Sequence, residues 1–87
     1  MSKVKSIDEI QAGWDEFDRP RDGRKFQHHK GGAYKIVATG FLEESETPAV
    51  IYKSEADDTV WVRTAEDFFQ SVAVNGEQQP RFKAVEE

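Results

Sequence analysis

The chain has 87 residues, one small domain, and no cysteine, so disulfides, thiolate metal sites and thiol nucleophiles are excluded. Its net charge of −5 disfavours non-specific nucleic-acid binding, because phosphate neutralisation by Lys and Arg supplies most of that affinity. No run approaches the roughly 18 consecutive apolar residues of a membrane span, and MSKVKSIDEI carries charge where an export signal would be apolar, so a cytoplasmic protein with no membrane partner is expected.

The first element is a helix. Ser6-Ile7-Asp8-Glu9 has the form of a capping box. Ile7, Ile10, Trp14 and Phe17 follow at helical spacing and predict an amphipathic helix over about Ile7–Phe17, shortened by Gly13. "DRPRDGRK" reads as a charged loop. These segments, residues 1–25, form an N-terminal arm; residues 26–87 form a small β domain.

"FQHHKGGAY" leads into that domain. Paired glycines predict a turn or bulge at Gly31-Gly32. In an extended segment His28 and His29 would point to opposite faces and could not share a metal. No zinc-ligand spacing is present, so no metal or other cofactor is expected. "AYKIVATGF" alternates Tyr34, Ile36 and Ala38 against Lys35, Val37 and Thr39. "AVIYKS" places Val50 and Tyr52 on one face. "VWVRT" places Val60 and Val62 on one face, read as the core side, and Trp61 and Arg63 on the other.

"TAEDFF" predicts a short capped helix, since Thr64 can cap and Glu66 and Asp67 suit a first turn. Asn75-Gly76 marks a hairpin, and "PRFKAV" a last strand. The expected fold is mainly β with minor α. It is a small, partly open, SH3-like β-barrel with an N-terminal helix and a short helical insert before the last hairpin.

From Phe26 to Val85 the chain resembles the bacterial family of domain of unknown function 1653. The carrying residues are Phe26, His28, Lys30, Gly31, Tyr34, Tyr52, then Trp61-Val62-Arg63, Glu66, Phe68, Val72, Gly76 and Pro80-Arg81-Phe82. The chain departs from the family's histidine-serine-glutamate-threonine turn, carrying Leu42-Glu43-Glu44-Ser45 instead. The resemblance implies a compact domain and no agreed activity.

Arg19–Lys30 is basic and Glu43–Asp58 acidic, each reading first as a solvated loop. The stronger constellation is aromatic and basic: Trp61 and Arg63, of the types that dominate binding hot spots, with Tyr52, His28 and Lys30 able to come near them. It suggests a non-enzymatic module for a small anionic or nucleotide-like ligand, or a peptide segment, with Glu44, Glu66 and Arg81 as additional candidates. The second reading is an enzyme using His28 with Glu44 or Glu66 for acid–base chemistry. The third is an RNA-binding small barrel relying on the basic arm.

Overall fold

The computed structural model describes residues 5–86. Ser6 caps α1 (Ile7–Gln11): its hydroxyl accepts from the Glu9 N–H at 3.2 Å, and the Glu9 carboxylate accepts from the Ser6 N–H at 3.0 Å. The chain then tightens into a 3-10 segment, Ala12–Glu16. That change of pitch breaks the single stripe predicted for Ile7–Phe17. Trp14 is buried, Ile10 and Phe17 are half-buried, and Ile7 is 68% exposed. Trp14 anchors the segment to the sheet, donating from its indole N–H to the Gly40 carbonyl at 3.1 Å.

The strands follow in chain order: β1 (Lys25–His28), β2 (Ala33–Leu42), β3 (Thr47–Ser54) and β4 (Val60–Thr64). A one-turn helix, α2 (Ala65–Phe68), comes next, then β5 (Ser71–Val74), β6 (Glu77–Pro80) and β7 (Phe82–Ala84). Five strands make one antiparallel sheet in the order β4-β3-β2-β1-β7, and β5 and β6 form a separate hairpin. The hairpin turns at Asn75-Gly76, whose φ values of 52° and 82° are what a type I′ turn requires. The fold is mainly β with an N-terminal helix and a helical insert before the last hairpin, as the sequence predicts. The five-stranded sheet does not close: β4 and β7 are its two edges.

The core lies on one side of this sheet. Phe26, Ile36, Val50, Tyr52 and Phe82 point into it, and α2 adds Ala65 and Phe68. Phe68 is fully buried and stacks on Phe82 with ring centroids 4.3 Å apart. Register decides which face of β4 joins them. Tyr52 stands opposite Trp61, and Val50 opposite Arg63. Trp61 and Arg63 therefore share the core side, and Val60 and Val62 lie on the outer face, each 54% exposed. This reverses the expected assignment. The valines were read as core because they are apolar, but β4 is an edge strand and the aromatic cluster lies on the Tyr52 side. A second departure is the bulge between Ile36 and Ala38 in β2. It breaks the simple alternation and returns Thr39 to the face of Val50.

Thr64 ends β4 and caps α2, its hydroxyl accepting from the Asp67 N–H at 3.1 Å. Thr64→Ala is expected to cost about 1 kcal/mol, the usual worth of such a cap. Urea unfolding would show it as a lower midpoint with an unchanged slope.

Candidate functional site

The site grows from the end of β1. The strand stops at His28, and residues 29–32 form the connection to β2. Gly31 takes φ +104°, a conformation that glycine adopts freely. The turn is closed by two backbone bonds: His28 N–H to the Gly32 carbonyl at 2.7 Å, and Gly31 N–H to the His28 carbonyl at 2.8 Å. The predicted turn at the paired glycines is present, and it joins two strands of a hairpin. The two histidines do not diverge as an extended segment would require. Only His28 is in the strand, and the rings lie 4.3 Å apart, centroid to centroid.

His28 Nδ1 accepts a hydrogen bond from the Lys30 backbone N–H at 3.1 Å. That bond needs a lone pair on Nδ1, so the neutral ring carries its proton on Nε2. Burial holds the His28 pKa below its ordinary 6.5, and the neighbouring His29, Arg81, Arg63 and Lys30 push the same way. The folded state thus binds a proton less readily than the unfolded chain. Stability should fall as pH drops below about 6.5, where the unfolded chain gains the proton first. Thermal melts of the wild type and His28→Gln between neutral and mildly acidic pH would check this; the substitution is expected to flatten that part of the profile.

His28, Tyr34, Tyr52, Trp61, Arg63 and Phe82 line a cleft of about 170 Å³ on the core side of the sheet, next to the β4 edge. Register brings them there. Tyr34 pairs across from Phe26 and from Ser54, and Tyr52 sits between Ile36 and Trp61. Trp61 is 52% exposed, so the N-terminal helix does not cover it. Arg63 donates from Nε to the Tyr52 hydroxyl at 3.0 Å and from Nη1 to Asp67 at 3.0 Å. Asp67, in α2, is its ion-pair partner; Glu44 and Glu66 are not. Burial opposes the Arg63 charge, but the Tyr52 hydroxyl and Asp67 outweigh it and raise its pKa. Burial likewise raises the Tyr52 phenol, with Arg63 acting against the rise.

Of the predicted site residues, four converge on this cleft: His28, Tyr52, Trp61 and Arg63. Lys30 lies in the turn beside His28 and does not line it. Arg81 lies close enough to act electrostatically on both His28 and Tyr52. Its Nη2 donates to Gln70 at 2.8 Å, while its buried Nε has no partner among the described residues. Glu44 is exposed in the β2–β3 turn, at the far end of that hairpin from Tyr34. Glu66 lines a separate cleft with Glu9, Glu16 and Pro48, beside the N-terminal helix. Tyr34 and Phe82 complete the cleft, and sequence reasoning did not place them in it. Both carry the family resemblance, which was the available signal.

Chemically the cleft offers hydrogen-bond donors on an aromatic floor. Arg63 Nη2 has no protein partner among the described residues. The Tyr52 hydroxyl accepts from Arg63 and so keeps its own proton to donate. His28 offers Nε2–H. No carboxylate lines the cleft. Among the described residues no three His, Asp or Glu side chains are grouped to hold a metal ion, and no helix is long and apolar enough to cross a membrane.

The family model described as a protein of unknown function, DUF1653, matches residues 24–84. A crystal structure of a DUF1653 protein from Bordetella bronchiseptica is similar with a TM-score of 0.66 and 23% identity, covering 76% of this chain and 87% of that one. At that identity the likeness is one of fold. No curated protein matches. The matched span takes in every residue of the cleft and starts after the N-terminal helix, so the chain belongs to the DUF1653 family.

Proposed function

We propose that the protein is a non-enzymatic cytoplasmic binding module that holds a small planar anion in the cleft between His28, Tyr52, Trp61 and Arg63. One observation carries the reading: no carboxylate lines the cleft, and its polar side chains, Arg63 foremost, all have an N–H or O–H to donate. A second guanidinium, Arg81, adds to the positive field without entering the cleft. A carboxylate or phosphate would meet Arg63 Nη2 and the Tyr52 hydroxyl, and its ring would rest on Trp61. The size supports a small ligand. A volume of about 170 Å³ is smaller than the ~300–1,000 Å³ of ordinary ligand pockets, so it suits one ring or one side chain. Nucleotide-like ligands would place only their base or phosphate inside, and a peptide only a terminal residue. An open, SH3-like β fold in a reducing compartment suits such a module, and the absence of cysteine agrees with that compartment.

A thermal-shift panel of aromatic carboxylates, aryl phosphates and nucleoside monophosphates tests the reading. Stabilisation by the anions, and none by their uncharged analogues, is the expected result. Equal response to both would remove the role assigned to Arg63.

A further inference from the structure

The face of the sheet opposite the cleft has no role in the binding site. Its composition does not match the rest of the chain. Register sets Lys25 opposite Lys35, and Lys35 opposite Lys53. Lys83 stands on the same face, opposite Gln27. Four of the seven lysines of a chain with net charge −5 thus gather on one sheet face. No strand position of this face carries Asp or Glu. An ion pair at its border, Lys53 to Asp58, is long at 3.9 Å and exposed. Like charges set directly opposite one another in neighbouring strands destabilise a sheet. The fold gains nothing from this row.

Beside the lysines runs an apolar band. Val62 stands opposite Ile51, and Ile51 opposite Ala38. Val60 ends the lysine row, opposite Lys53. The bulge in β2 adds Val37, which is 45% exposed. Val37, Val60 and Val62 account for three of the six exposed large hydrophobics among the described residues. An uncovered apolar patch of this kind marks an interaction surface.

We propose that this outer face docks an acidic amphipathic segment of another protein, its apolar side chains on Val37, Ile51, Val60 and Val62 and its carboxylates on Lys25, Lys35 and Lys53. Charge complementarity selects the occupant, and the apolar band narrows it further. A nucleic acid would leave the aliphatic band without a counterpart, and the face has no arginine or aromatic side chain to read or stack on a base. A membrane surface is disfavoured because no Trp or Phe strand position lies on the face, and its one leucine, Leu42, is half-buried at the far end of the β2–β3 hairpin from the lysine row.

The test uses the full chain, labelled with ¹⁵N, and a synthetic amphipathic helix of leucine and glutamate. Saturable shifts centred on Lys35, Lys53, Val60 and Val62 are expected. The double variant Lys35→Glu/Lys53→Glu should weaken binding by about tenfold or more, as expected when close charge pairs reverse sign. Arg63→Ala should leave it unchanged, which separates this face from the cleft. Lys35→Thr should weaken peptide binding and raise the melting temperature, because it relieves the like-charge row; a structural lysine would lower it. The proposal fails if the glutamate peptide does not bind, or if a leucine–lysine helix binds equally well. It also fails if a short RNA duplex or anionic phosphatidylserine vesicles bind this face more tightly, or if the same residues drive self-association.

Discussion

Phe68→Ala should lower the unfolding free energy by about 3–5 kcal/mol, the cost of emptying a fully buried aromatic position. Phe68 is 0% exposed and touches four other rings of the core: Phe26, Tyr52, Phe69 and Phe82. The short helix α2 exists largely to deliver it. Four residues cannot form a stable helix alone, so burial of Phe68 and Ala65 and the Thr64 cap must hold the turn. A loss of this size is a large fraction of what a small domain has to spare. Chemical unfolding measures it directly. A change below about 1 kcal/mol, the scale of an ordinary surface substitution, would contradict the packing described. The same variant should disturb the cleft, because α2 also carries Asp67, which fixes the guanidinium of Arg63.

Arg63→Ala separates binding from stability. Its side chain is 32% exposed and its ion pair with Asp67, between the end of β4 and α2, is exposed, so that pair contributes little. The bond to the Tyr52 hydroxyl contributes more, and about 1 kcal/mol is the expected total cost. Anion binding, in contrast, should be lost, because Arg63 is the sole guanidinium lining the cleft among the described residues. Arg63→Lys should recover only part of it. Lysine keeps the charge but cannot hold Tyr52, Asp67 and a ligand with one planar fork. Calorimetric titration with phenyl phosphate, beside urea unfolding of each variant, checks both halves. A stability loss of about 3–5 kcal/mol would mean instead that Arg63 is a buried structural ion.

Local signals in the sequence were enough for much of the architecture. The Ser6 capping box, the Thr64 cap, the Gly31-Gly32 turn and the Asn75-Gly76 hairpin all depend on neighbours within a few residues, and each is present. Non-local packing was not legible in the same way. "VWVRT" shows that Val60 and Val62 share a face but not which face is buried. That depends on α2 placing Phe68 against Tyr52, and on β4 being an edge. The helical stripe of Ile7, Ile10, Trp14 and Phe17 is not buried as one face for a similar reason. A pitch change at Ala12 lets Trp14 reach the Gly40 carbonyl and leaves Ile7 in solvent. In the cleft, His28, Tyr52, Trp61 and Arg63 could be grouped from residue type, alternation and family resemblance. Lys30, Glu44 and Glu66 could be assigned only once the turns were placed. The lysine row of Lys25, Lys35 and Lys53 is spread over three strands, and only the pairing register reveals it.

The aromatic and cationic cleft is proposed to bind a small planar anion. A ¹⁵N NMR titration with phenyl phosphate, using benzyl alcohol as the uncharged control, tests it most directly. Saturable shifts confined to His28, Tyr34, Tyr52, Trp61 and Arg63 are expected, absent with benzyl alcohol and abolished in Arg63→Ala. Shifts that fail to saturate, that centre on the lysine face, or that persist in Arg63→Ala would contradict it.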